Sequence, residues 1–141
     1  MMENEYLTLM HRWFDLVWNQ KNESAIDEMF AEDGIGYGLG PEIHGPKEFK
    51  PFFNSFISAY PDIHVEVLET ITEGDKVAAR CHVTGTHQGH GLNLAPTGEK
   101  VDFTGMVIVH LKDDKIRRSW NEFNFMQMYT QLKALTLNLE S

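Results

Sequence analysis

The residues with the most chemistry to offer lie in the last third of the chain: His110, Glu122 and Asn124, with Trp120 among them. A histidine exchanges its proton near neutrality and is the commonest general base. A glutamate drawn into a dry cavity beside an indole ring becomes a usable base, whereas at a strand end Glu122 faces water or pairs with Arg118. Asn124 cannot take a proton, but its amide can donate to a developing oxyanion, an effect worth about 3 kcal/mol in a dry pocket. These groups act together only if they share one face of a sheet, and strand side chains alternate with a period of two. The turn between the two strands decides this. A two-residue loop at Asp113-Asp114 pairs His110 with Arg117 and sends Asn124 to the opposite face. A three-residue loop over 112–114 pairs His110 with Ile116 and aligns His110, Arg118, Trp120, Glu122 and Asn124. Asp114 tolerates the left-handed conformation that the third loop residue adopts, which favours the second register.

Other chemical candidates are weaker. His87-Gln88-Gly89-His90 has a chelating spacing, but a metal site needs three or four converging ligands and no carboxylate lies nearby, so no metal is expected. Cys81, the only cysteine, sits in an alternating apolar segment and reads as a small buried thiol. His82 and Arg80 occupy the other face of that strand, either lining a pocket or facing a partner subunit. Gly34, Gly36, Gly38 and Gly40 alternate with Ile35, Tyr37 and Leu39 as a short strand or a loop, without the spacing of a dinucleotide fingerprint.

The elements that must position these residues follow from periodicity. Tyr6, Leu9, Met10, Trp13, Phe14, Val17 and Trp18 recur at spacings of three and four, the stripe of an amphipathic helix. A short helix over 23–30 is predicted, with Asn22 as its N-cap and the glycines from Gly34 ending it. Pro46 suits the first turn of a third helix whose stripe is Phe49, Phe52, Phe53, Phe56, Ile57 and Tyr60; Pro51 kinks it or marks its start, and Pro61 stops it. Strands follow at 63–73, 76–88, 100–112 and 115–125, separated by tight-turn residues Glu73-Gly74-Asp75 and Lys112-Asp113-Asp114 and by a longer loop at 89–97. A C-terminal helix is expected over 126–139. Helices first and long strands afterwards give α+β architecture, an antiparallel meander covered on one face.

At 141 residues and 42% hydrophobic content the chain fits one domain with a full core. Its net charge of −9 repels phosphate backbones and anionic lipid, so neither nucleic acid nor membrane is an expected partner. With no basic and apolar leader at its start and no apolar run of roughly 20 residues, a cytoplasmic protein is expected.

Tyr60-Pro61-Asp62, the 73–77 turn, Thr84-Gly85-Thr86-His87, Pro96-Thr97-Gly98-Glu99-Lys100 and Trp120-Asn121-Glu122-Phe123-Asn124 together resemble the SnoaL-like polyketide cyclases, also called predicted ester cyclases. The resemblance covers nearly the whole chain. It implies the cone-shaped fold of nuclear transport factor 2, with an apolar pocket between helices and curved sheet. It implies cofactor-free acid/base chemistry, an intramolecular aldol closure of an aromatic polyketide methyl ester. By the same resemblance His110 matches the pocket histidine, and Asn124 stands where the cyclases carry their acid/base aspartate. Trp18 and Asn54 match positions that orient the substrate, and Phe14, Trp120 and His82 join them as expected pocket residues. The glycine common in the family at the hairpin supports the three-residue loop. A homodimer is also implied, through an outer sheet face to which parity assigns Phe123, Phe125, Val107 and Val109. Three function classes follow: a cyclase, isomerase or lyase whose base is Glu122 or His110, a binding module on the same fold whose Asn124 only orients a ligand, or an interaction protein that uses the sheet face alone.

Overall fold

The computed structural model describes residues 9–133. The chain enters as a helix whose first described turn is α-helical and whose continuation, α1 (Trp13–Asn19), is wound as a π-helix, with Gln20 N–H reaching back to Asp15 O. The expected stripe is buried along it, from Leu9 and Met10 to Trp13, Phe14, Val17 and Trp18; Tyr6 lies outside the described residues. Asn19 closes the helix onto the sheet, its side-chain amide bridging Val65 O and Val65 N.

Helix α2 (Ser24–Met29) is one residue shorter at each end than its pattern indicated. Its N-cap is Glu23, not Asn22, whose side chain instead accepts from Ser24 Oγ. No glycine ends it: Phe30 turns directly into extended backbone and opens β1 (Phe30–Tyr37), so the glycine-rich passage is a strand as far as Tyr37. Gly38 has φ +89, and a Cβ there would lie 2.0 Å from Asn121 O, so only glycine lets the chain leave the sheet so close to that residue. The two-residue strand β2 (Ile43–His44) has too little sequence to carry a periodic signal, and no expectation covered it.

Helix α3 (Gly45–Ala59) has Pro46 in its first turn and runs on through Pro51, which is therefore not its start. Its buried stripe is Phe49, Phe53 and Phe56, with Phe52 and Ile57 partly covered and Tyr60 buried just past the end. Strands β3 (His64–Glu73), β4 (Lys76–Thr86), β5 (Lys100–Lys112) and β6 (Lys115–Phe123) form the expected antiparallel meander, and α4 (Phe125–Gln131) follows at once. The remainder of the expected C-terminal helix, beyond 133, is outside the described residues. The sheet order is β2-β1-β6-β5-β4-β3, with β1 parallel to β6, so one crossover joins the N-terminal strands to the far edge of the meander.

The β5–β6 hairpin differs from both registers considered. Lys112 pairs with Lys115 across a two-residue turn, Asp113 and Asp114 both having positive φ, as a type I′ turn requires. The pairing then shifts: Leu111 opposes Ile116 but His110 opposes Arg118, leaving Arg117 as the extra residue of a β-bulge. The bulge restores the alignment that a three-residue loop would have given, so His110, Arg118, Trp120 and Glu122 do share a face.

That face is the outer one. Along β5 every odd residue from Val101 to Leu111 is buried, and along β6 Ile116 and Ser119 are buried while Trp120 and Glu122 are exposed. Val107 and Val109 belong to the core, and Phe123 and Phe125 pack against it, contrary to their expected place on the outer surface. Among the described residues no helix is long and apolar enough to cross a membrane.

Candidate ligand cavity

Between helices and sheet lies a cavity with about 80 Å³ of space in which the centre of a water molecule fits. Its wall is dominated by aromatic rings. Helix α1 supplies Trp13, Phe14 and Trp18, α3 supplies Phe49, Phe52 and Phe56, and the chain around the start of α4 supplies Phe123 and Phe125. Trp18 sits at the centre of this arrangement, its ring 5.4 Å from Phe53 and 6.2 to 6.3 Å from Phe49, Phe52 and Phe56. Val83, Phe103, Val107 and Val109 make the floor. Edge-to-face packing of this kind fixes each ring, so the cavity is a shaped slot rather than a loose gap.

Two polar side chains interrupt the apolar wall, Ser119 and Asn121, both on β6 and both pointing inward because they have the parity opposite to Trp120. Asn121 Nδ2 donates to Tyr37 O at 2.9 Å and to Ser119 Oγ at 3.1 Å, tying the last residue of β1 to β6. Among the described residues no carboxylate, histidine, lysine or arginine lines the cavity.

Of the residues singled out from sequence, Trp18 and Phe14 stand in the cavity wall. The others stand elsewhere. His110 is half-buried on the outer sheet face, its ring 4.7 Å from Trp120, which stacks on Tyr37. Glu122 is exposed on the same face. His82 lies on that face too, its Nε2 bonded to Asp102 Oδ1. Asn54 is exposed on α3. Asn124 is the N-cap of α4, with Oδ1 accepting from Gln127 N–H at 3.0 Å, so its side-chain oxygen is spent on a helix terminus and the residue does not line the cavity.

His110, Trp120, Glu122 and His82 miss the cavity for one reason: sequence parity relates strand residues to one another but not to the inside of the sheet. A signal that leans the right way is the odd row of β5, apolar at Val101, Phe103, Val107, Val109 and Leu111 around Gly105, against an even row that mixes Asp102, Thr104 and His110 with Met106 and Ile108. Taking the odd row as the inner face brings Ser119 and Asn121 into the cavity through the pairs Val109 with Ser119 and Val107 with Asn121.

The remaining candidates take structural places. Cys81 is fully buried and desolvation pushes its thiol up to about 12, so it stays an unreactive thiol. His87 is buried, its Nδ1 accepting from Thr97 N–H at 3.2 Å and lying 3.0 Å from Thr97 Oγ1, and burial followed by the neighbouring His90 lowers its pKa. Among the described residues no three His, Cys, Asp or Glu side chains converge as a metal site.

A curved, open six-stranded sheet, with helices covering one face and enclosing an apolar cavity, defines the cone-shaped α+β class of nuclear transport factor 2. A solved structure sharing this shape is a hypothetical protein with a ketosteroid isomerase-like fold from Catenulispora acidiphila (18% identity, TM-score 0.72, covering 87% of this chain and 90% of that one). The model of the SnoaL-like polyketide cyclases matches residues 8–132, and the chain belongs to that family. It is similar to AclR, a candidate hydroxylase of Streptomyces galilaeus (26% identity, TM-score 0.83, covering 94% and 98% of the two chains). It is also similar to a candidate polyketide cyclase of Bacillus cereus ATCC 10987 (28% identity, TM-score 0.77, covering 91% and 80%). No curated protein matches the chain.

Proposed function

We propose that the cavity binds a flat, largely apolar aromatic carbonyl compound of roughly two or three fused rings, and that the chain acts as a small-molecule-binding member of its family. The observation that carries this reading is the composition of the wall: aromatic rings on every side, with Ser119 and Asn121 as the polar contacts. Aldol closure requires a group that removes a proton next to a carbonyl, within hydrogen-bond reach of it. Neither a serine hydroxyl without a base nor an amide does that. Glu122 and His110 lie across the sheet from the cavity, and Asn124 is engaged as a helix cap. Cyclisation is the second reading, favoured by family membership and by the likeness to the Bacillus cereus protein.

The two readings separate in one experiment. Of the three tryptophans only Trp120 lies outside the cavity wall, so Trp120→Phe leaves fluorescence from Trp13 and Trp18 alone. Titration with 1-tetralone and with an anthraquinone-type polyketide methyl ester should quench it saturably. Mass spectrometry of the same mixtures with unaltered protein should return the ester unchanged. A cyclised product would establish the second reading, and absence of quenching by either compound would overturn the first.

The outer sheet face supports a homodimer. Ile71, Met106, Ile108 and Trp120 are exposed there, with Leu68 beside them, a patch of the kind that soluble chains cover by association. This is the even-numbered face of β5, not the face first expected. The −9 charge and the buried thiol of Cys81 fit a cytoplasmic setting.

A further inference from the structure

The hydrogen bonds around Asn121 fix which of its atoms a ligand can meet. Tyr37 O is a backbone carbonyl and only accepts, so the nitrogen of the Asn121 amide must face it. The second amide hydrogen goes to Ser119 Oγ. Both donors of the amide are thus committed within the protein, and no described residue donates to Oδ1. What Asn121 can offer the cavity is an acceptor.

Ser119 completes the pattern. Its Oγ already accepts from Asn121, which leaves its own O–H as a donor. Gly36 lies alongside, and a Cβ at that position would come within 3.2 Å of Ser119 Oγ, so the glycine keeps the hydroxyl free to turn. An acceptor and a donor, side by side on one strand in an otherwise apolar wall, are complementary to a single hydroxyl group, which gives its proton to Oδ1 and receives one from Ser119.

From this arrangement we infer that the cavity selects aromatic compounds bearing a phenolic or enolic hydroxyl over the same skeleton without one, with Asn121 as the specificity-determining residue. A ketone oxygen brought against Oδ1 meets an acceptor with no proton between them. An enol or phenol at the same place satisfies both protein groups, and a buried polar pair left unmet is what penalises the wrong ligand. The inference rests on the reading of the cavity as a ligand site.

The test uses three probes on the Trp120→Phe protein at about pH 6, where a phenol keeps its proton: 1-tetralone, 6-hydroxy-1-tetralone and 6-methoxy-1-tetralone. The hydroxy compound should bind at least about tenfold more tightly than either of the others. With Asn121→Leu added, the hydroxy preference should vanish. Ser119→Ala, the milder change, should reduce the preference without abolishing it. If all three probes bind equally to the parent protein, the inference falls and the ligand site stands. If none binds, the ligand site itself is refuted, and the inference with it. A hydroxy preference that survives Asn121→Leu assigns the discrimination to another residue and also overturns it.

Discussion

Exchanging an amide for a carboxyl group at positions 121 and 124 should have opposite consequences, although the swaps are chemically identical and only three residues apart. Asn124 uses its side-chain oxygen to accept from Gln127 N–H at the start of α4. Aspartate performs that task as well as asparagine and adds a charge favourable to a helix N-terminus, so Asn124→Asp should change stability by no more than about 0.5 kcal/mol. Asn121 uses its nitrogen. Replacing it with oxygen removes the donor 2.9 Å from Tyr37 O and the donor 3.1 Å from Ser119 Oγ, and sets an acceptor against the Tyr37 carbonyl. Leaving a buried polar group unmet costs about 1–3 kcal/mol, and a carboxylate in an apolar wall adds to that until it takes up a proton. A loss of about 3 kcal/mol at neutral pH follows, which in a chain of this size lowers Tm by roughly 12 °C. The dependence on pH has a definite sign. The introduced acid has a pKa raised in the folded state, so folding binds its proton and the deficit relative to the parent protein grows as pH rises above about 4. Thermal melts of the parent and both variants at about pH 4.5 and about pH 8 measure this. Equal melting temperatures for the two variants, or an Asn121→Asp deficit that does not change with pH, would refute the assignment of the amide nitrogen to Tyr37.

Trp18→Ala should destabilise the protein by about 3–5 kcal/mol in urea unfolding, because Trp18 packs against four phenylalanines; a loss under about 1 kcal/mol would mean that α1 is not anchored there. His87 has a lowered pKa in the folded state, so the unfolded chain binds its proton more readily and stability falls as pH drops below about 6.5. The slope of that fall is at most about 1.4 kcal/mol per pH unit, it should be absent in His87→Gln, and stability rising on acidification through this range would contradict it. The proposed homodimer should dissociate in Met106→Lys combined with Ile108→Lys, read as a halved mass by light scattering with 1-tetralone binding intact; an unaltered mass would refute association through this face.

Much of the architecture was legible because it is written in local periodicity. The aromatic stripe of α3, the alternation of the four long strands and the acidic turn at Asp113-Asp114 each reflect interactions between residues close in sequence. Less local features were not. The pairing of β1 with β6 joins segments some 80 residues apart and leaves no local trace, and the bulge at Arg117 changes register without changing composition.

The site divides in the same way. By itself the sequence determined the family, the α+β class and the aromatic residues Phe14 and Trp18 that wall the cavity, because burial of large apolar side chains follows from the hydrophobic effect whatever the partner. That His110, Trp120 and Glu122 share a face was expected from a three-residue loop, but the protein reaches that grouping through a two-residue turn and the bulge at Arg117. Only the tertiary structure decided that this face looks outward, that Asn124 caps a helix, and that Ser119 and Asn121 are the polar groups in the cavity. A period of two sorts residues into two sets, and which set faces inward depends on where the helices dock.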